Sequence, residues 1–278
     1  MKRYAGDLVI SLCGLVTTVL TVGILVYVEI HLAFAFYSIT HFFVLPTGAI
    51  ISGAAAASGY YLGAQWLHAR PTIKILFNML LISVGAYFSI NYLLYRLLEV
   101  DGVAVSTLVG FAEFMEVVVT NMSLTIGRGN AETGELGSLG YVVAVLQVIG
   151  FALGGGAVYL FLRSKPFCDH CNRYYRKIWR ETRFTGDAEV YVDAVARMAA
   201  RAGSDGIDAV REQHRAIGTE KGSGETHLKA ELSLLRCGVC TRELLTFKTY
   251  REKGNDWEAV DPLSFSQHYA PKGETTSA

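Results

Sequence analysis

Phe167-Cys168-Asp169-His170-Cys171-Asn172-Arg173-Tyr174 and Arg236-Cys237-Gly238-Val239-Cys240 are the stretches that decide the fold, and they hold four of the chain's five cysteines. A two-residue gap lets both sulfurs of a Cys-x-x-Cys pair reach one ion, and four thiolates satisfy the tetrahedral demand of Zn²⁺. The expectation is one structural zinc site formed by Cys168, Cys171, Cys237 and Cys240. A site with four protein ligands has no position left for water, so it holds a domain together and catalyses nothing. His170 is an alternative ligand, better placed facing solvent. Cys13, in an apolar run, reads as a small core filler.

Upstream of the first pair the composition changes. Residues 1–162 hold six Lys/Arg and eight Asp/Glu, whereas residues 163–278 hold nineteen and seventeen. The first part lacks the charge of a soluble domain; the second has ordinary soluble character. Four runs are long enough to cross a hydrocarbon core of about 30 Å at about 1.5 Å per residue: Leu8–Val28, Pro46–Leu67, Ile73–Leu98 and Gly137–Leu162. The apolar stretch of the first run is too long for a signal-peptide core, so Ala33-Phe34-Ala35 is read as part of a retained anchor and not as a cleavage site. The second run is rich in small residues. Ala55, Gly59 and Gly63 recur every four residues, and Gly150/Gly154 and Ala152/Gly156 repeat the pattern in the fourth; such faces let helix backbones approach closely. Pro71 suits the first turn of the third run, and Tyr87, Tyr92 and Tyr95 fit an interfacial aromatic belt.

Lys2, Arg3, Arg70, Lys74, Arg163 and Lys165 fall on one side of these spans, which puts both termini in the cytoplasm by the positive-inside rule. On that side thiols stay reduced and metal binding prevails over disulfide formation. The basic run Arg163–Arg183 begins where the last span ends, and Arg163, Lys165, Arg173, Arg176 and Lys177 are candidates for anionic headgroup contact. Tyr174, Tyr175 and Trp179 lie among these charges, an arrangement that also occurs in single-strand nucleic-acid binding. A strand packed beneath the first cysteine pair explains them more cheaply.

The outer connections, 29–45 and 99–136, are unusually apolar and read as interfacial or partly re-entrant. Glu29, His31, Glu113 and Glu116 lie in or beside them. Glu113 and Glu116, three apart, share a helix face. They are candidates for an ion or proton path, set against the simpler reading of carboxylates facing water. His31 and His41 make no convincing haem pair, and Gly154-Gly155-Gly156 lacks the Lys-Ser/Thr of a phosphate loop.

Between and after the cysteine pairs the pattern alternates strand and helix. Tyr175–Phe184 reads as a strand. Asp187–Arg201 reads as a helix capped by Asp187, stopped by Gly203, with Val190, Val192, Val195, Met198 and Ala199 as its apolar face. Ser204–Ile217 reads as a second helix capped by Ser204 or Asp205, and 219–226 as a loop. His227–Leu235 alternates like a strand, and Leu244–Arg251 and Trp257–Phe265 form a hairpin around Lys253-Gly254-Asn255-Asp256. This order resembles a zinc ribbon with a helical insertion, over about Phe167–Phe184 and His227–Phe265. The resemblance rests on the cysteine spacing and the strand after each pair. It departs from the compact form in the gap of 65 residues between Cys171 and Cys237, against about 15–20. Four-helix membrane thiol oxidoreductases also carry two cysteine pairs, but those need the oxidising face and a neighbouring quinone, and both pairs here fall on the other side.

The expected architecture is an α-helical membrane bundle of four transmembrane helices (1–164), a small cytoplasmic α+β zinc-knuckle domain (165–266) and a disordered tail (267–278). The expected function is non-enzymatic: a membrane adaptor, sensor or assembly subunit in the bilayer of a bacterial inner membrane, as a homo-oligomer or in a membrane complex. Its soluble domain would meet a cytoplasmic protein partner, with nucleic acid disfavoured. The alternatives are an oligomeric channel or transporter, and an enzyme of thiol-redox or lipid-modifying type.

Overall fold

A computed structural model describes residues 2–40, 45–126, 131–220, 227–254 and 256–269. The chain divides into two compact units, Met1–Lys165 and Pro166–Ala278.

The first unit is built on α1 (Lys2–Leu32), α2 (Thr47–Trp66) and α3 (Ile73–Leu97). After α3 come the short hairpin β1 (Glu99–Val100) and β2 (Val103–Ala104), then α4 (Val105–Leu108) and α5 (Phe111–Thr120). A second hairpin, β3 (Ser123–Ile126) and β4 (Ala131–Glu135), leads into α6 (Leu139–Arg163). Among the described residues, three helical segments are long and apolar enough to cross a membrane, Leu8–Leu32, Ile73–Leu97 and Leu139–Arg163. Their outward faces carry exposed Leu12, Val16, Leu20, Phe77, Val142 and Leu153, a surface suited to hydrocarbon and not to water.

α2 is not among those three, because Gly, Ala and Ser fill it in place of large aliphatic residues. It lies between α1 and α6, and the small residues set how near those helices come. A Cβ added at Gly59 would stand 2.0 Å from the Cys13 carbonyl oxygen, and one at Gly53 would stand 2.2 Å from the Phe151 carbonyl oxygen. Polar groups close the same contacts. Thr17 Oγ1 donates to the Ala56 carbonyl at 2.8 Å and accepts from Gly59 N at 3.0 Å; Ser83 donates to the Gly53 carbonyl at 3.2 Å. The face toward α1 holds Ala56, Gly59 and Gly63, while Ala55 is exposed. A four-residue repeat drifts off a 3.6-residue helix, which is why Ala55 leaves the seam. On α6, Gly150 and Gly154 meet α2, whereas Gly156 is nearly open.

Two other expectations are revised here. Thr72 caps α3, its side chain accepting from Ile75 N at 3.4 Å, so Pro71 precedes the helix. Tyr87 is not a belt residue: it is buried, with its ring edge-on to Tyr37 and Phe151. Tyr95 pins the following connection by donating to the carbonyls of Ser106 and Val109.

The second unit opens with the small hairpin β5 (Phe167–Cys168) and β6 (Arg173–Tyr174), followed by β7 (Arg176–Thr185). Then come α7 (Ala188–Ala202), α8 (Gly206–Ala216), β8 (Leu228–Arg236), β9 (Glu243–Lys253), β10 (Asp256–Ala259) and β11 (Phe265–Tyr269). β7, β8 and β9 pair antiparallel, and β10 and β11 share the far edge of β9. The expected strand Trp257–Phe265 is thus two strands. Pro262 lies in a turn of 3₁₀ helix between them, since a proline has no N–H to give the ladder. β11 also takes up Gln267, His268 and Tyr269, so the expected disordered tail does not begin at 267, and Tyr269 donates to the Ala202 carbonyl at 2.6 Å.

Asp187 caps α7, accepting from Val190 N at 3.1 Å. The buried face of α7 is Tyr191, Val195, Met198 and Ala202, whereas Val190, Val192 and Ala199 are exposed. The spacing from Val195 keeps Tyr191 on the sheet and carries Val190 and Val192 away from it. For α8, the Asp205 side chain makes no capping bond and accepts from the Ser204 hydroxyl. Leu228, Ala230, Leu232 and Leu234 of β8 face these helices with Leu245 and Phe247 of β9.

Candidate metal centre

The register of β7 on β8 answers the objection that the cysteine pairs are too far apart in sequence. Arg176, at the start of β7, pairs with Arg236, at the end of β8. The 65-residue stretch therefore starts and finishes at one end of the β7–β8 pair, and the two cysteine pairs meet there.

Each pair is a tight turn. The first is the tip of the β5–β6 hairpin, in which Cys168 pairs with Arg173. The second is the tip of the β8–β9 hairpin, where Cys237 N donates to the Arg242 carbonyl at 2.8 Å. The residue after each second cysteine has a positive φ, 50° at Asn172 and 55° at Thr241. In the left-handed conformation the chain doubles back, and both sulfurs of the pair point inward. Asn tolerates that region, while a β-branched Thr adopts it only under tertiary constraint.

The four sulfurs lie within 4.8 Å of one another, with Cys168 Sγ 3.7 Å from Cys240 Sγ. Four sulfurs at about 2.3 Å from one zinc ion define a tetrahedron with edges of about 3.8 Å. A disulfide needs about 2.05 Å, and all five cysteines are free. The four residues are compatible with a metal site and with no disulfide in this arrangement. Cys168 and Cys237 are buried, and Cys171 and Cys240 are half-buried. His170 is exposed, with Nδ1 3.9 Å from Cys171 Sγ, outside the set of four.

The thiols influence one another. Burial pushes the Cys237 thiol up, but hydrogen bonds from the backbone at Cys240 and Val239 outweigh it and draw the group down to about 7. Burial pushes Cys240 up to about 12, and its hydrogen bonds with neighbouring thiols add to that. One thiolate is therefore accommodated and further negative charge is opposed. A divalent cation removes the opposition by pairing with every sulfur. Around the cluster, the Phe167 and Tyr174 rings meet edge-on at 5.0 Å. Burial, followed by the hydrogen bond with Cys168, pushes the Tyr175 phenol far up.

The basic candidates Arg163, Arg173, Arg176 and Lys177 are exposed. Lys165 Nζ sits 4.5 Å over the Phe161 ring. Trp179 packs against the core of the second unit beneath the Arg211 guanidinium. Among the outer candidates, Glu113 and Glu116 are exposed on α5, while Phe114 and Val119 of the same helix are buried. His31 is exposed and lies 4.3 Å from the Tyr27 ring, and Glu29 accepts from Tyr37 OH at 3.4 Å. His41 lies outside the described residues.

Two features went unread in the sequence. Glu181 on β7 accepts from both Arg211 and Arg215 of α8. Burial pushes its carboxyl up, but the guanidinium bonds of Arg215 and Arg211 prevail and hold it at about 2. His214, one turn from Val210, is wholly buried against Phe247, and burial lowers it to about 4. The Glu181 contact joins β7 to residues 30 and 34 positions away on α8, so no local spacing reports it.

No protein-family model matches the chain, and neither a curated protein nor a solved structure is similar to it.

Proposed function

We propose that the chain is a non-enzymatic membrane anchor that holds a zinc-stabilised domain at the cytoplasmic face, for docking or assembly with a protein partner. The observation that carries this reading is the closed four-sulfur cluster. Two turns of the same form supply four protein ligands, a set that suits Zn²⁺ in a structural role and leaves no position for a substrate. The reading takes α2 as a fourth span, supported by its central place between α1 and α6. It puts both termini inside, supported by Arg70, Lys74, Arg163 and Lys165 at one set of helix ends, against Arg96 at the other. Partner binding falls to the surface of the second unit, and the bundle anchors the chain in the bilayer.

The test is elemental analysis of the purified full chain together with protease protection in sealed inverted and right-side-out vesicles. One zinc per chain, with the second unit cleaved only from the cytoplasmic side, is the expected result. Iron in place of zinc would move the reading toward electron transfer, and cleavage from the outer side would overturn the orientation.

A further inference from the structure

A groove of about 1130 Å³ runs between α1 and α3 over Tyr60 of α2. Its wall on α3 is Asn78, Leu81, Gly85, Phe88 and Tyr92, and Leu81, Phe88 and Tyr92 are exposed. The gaps of three, four, three and four residues are the 3.5-residue repeat with which one helix meets another along its length. The opposite side of α3, with Met79, Ser83, Ala86 and Ile90, is already buried. α3 is therefore a two-sided helix with one side occupied.

The lining says what the other side takes. Ser11 and Asn78 make one end of the groove polar, and Ser89 and Tyr92 the other. From Asn78 to Tyr92 the helix rises about 21 Å, more than one leaflet of a core about 30 Å thick. A spanning helix meets both polar ends, whereas an acyl chain offers neither a partner. Gly53 and Gly59 are pressed against neighbouring backbone, but a Cβ at Gly23 or Gly85, both lining the groove, would meet nothing within 4 Å. That space lets a further backbone come close. Asn78 is half-buried, and among the described residues its amide has no hydrogen-bond partner. In hydrocarbon that is a cost which a bond from another helix removes. A carboxamide both donates and accepts, so it is complementary to a copy of itself.

We propose that the α1–α3 groove is a dimer interface. It seats α3 of a second copy, parallel to its own α3, with the two Asn78 amides bonded to each other and the helices closest at Gly85. Two copies inserted in the same sense are related by a two-fold axis along the membrane normal, which sets each seam residue against its own copy. An Asn at one core position of such a repeat fixes the register of a parallel pair. Lys74, the next position of the repeat, is exposed in the first turn of α3, where its ammonium reaches water. The inference rests on the reading that α3 crosses a bilayer, and it adds an interface between copies to the anchoring role.

Energy transfer between full chains tests the proposal. The chains carry a donor or an acceptor dye at the N-terminus and are reconstituted into phosphatidylcholine vesicles over a range of chain-to-lipid ratios. Transfer should rise linearly with the acceptor fraction, as a pair requires. Asn78→Ala should raise the dissociation constant about tenfold. Gly85→Trp, whose first side-chain carbon meets nothing in its own chain, should abolish transfer. Leu153→Trp, on the exposed face of α6, should change nothing. Unaltered helicity in both α3 variants separates lost pairing from lost folding. Transfer that is absent in the parent, that survives Gly85→Trp, or that is lost equally in Leu153→Trp overturns the proposal. So does transfer that curves with acceptor fraction, which would identify a larger ring. A chain that does not fractionate with membranes would instead defeat the underlying reading of α3.

Discussion

The two units of this chain cohere by opposite means. In the first, α2 has few large apolar side chains, and its contacts are backbone against backbone across Gly53 and Gly59, sealed by Thr17 and Ser83. In the second, a sheet buries Leu232, Leu245 and Phe247 under two helices, and four sulfurs tie its two hairpin turns together. Helices in lipid gain little from burying hydrocarbon, so close packing and hydrogen bonds must hold them. A domain in water gains from burying apolar side chains, and a metal at four clustered sulfurs would add to that. The comparison predicts that each unit fails through its own kind of contact and leaves the other standing.

The largest effect belongs to the sulfurs. Structural zinc sites contribute about 10–16 kcal/mol of apparent binding energy, nearly all of it folding energy. Cys237→Ser should therefore abolish stoichiometric metal and make Pro166–Ala278 sensitive to limited proteolysis, while α1, α2, α3 and α6 keep their helicity. Unchanged protease resistance in the metal-free variant would show that the sheet alone suffices. Next comes Gly59→Leu, whose first side-chain carbon meets the Cys13 carbonyl oxygen. Overpacking against backbone should cost about 3 kcal/mol or more, read as a lower melting temperature of the bundle in detergent with metal content unaltered. A variant that melts like the parent would mean that α1 and α2 slide apart freely, and the close-packing account would fail.

The pH dependence separates two groups within the second unit. His214 has a folded-state pKa of about 4, below its ordinary value near 6.5. The unfolded chain binds the proton first, so His214 withholds nothing above pH 6.5, and stability falls as pH drops from there toward 4, by at most about 3 kcal/mol. Glu181, held at about 2, stabilises above its ordinary value near 4.3, and its share is lost as pH falls from there toward 2. His214→Leu should flatten the upper window and leave the lower one; denaturant unfolding of the full chain between pH 2 and 7 reads the difference. An unchanged slope in that variant would assign the loss to another group.

How far the sequence spoke depends on whether the signal was local. The cysteine spacing exposed the four-sulfur cluster, and hydropathy exposed α1, α3 and α6, because both are short-range patterns. The αL turn at Thr241 was hidden, since Thr does not announce a positive φ as Gly does. The burial of His214 and the Glu181 contacts depend on how α8 lands on β7, which no window of sequence contains. The drift of Ala55 off the α2 seam and of Val190 off the sheet is a matter of phase: an apolar or small residue one position away from the true period is exposed however well its neighbours fit.

The smallest effect concerns α5 alone. Glu113 and Glu116 are exposed on α5 while Phe114 and Val119 hold that helix against its neighbours. Carboxylates already in contact with water lose little when neutralised, so Glu113→Gln with Glu116→Gln should shift stability by less than about 0.5 kcal/mol. If both acids instead faced a dry interior in the assembled protein, removing their charge would relieve a desolvation cost and raise the melting temperature. The double variant therefore reports what covers α5 in the membrane: no change marks a solvated outer cap, and a gain marks a buried one with work for its carboxylates.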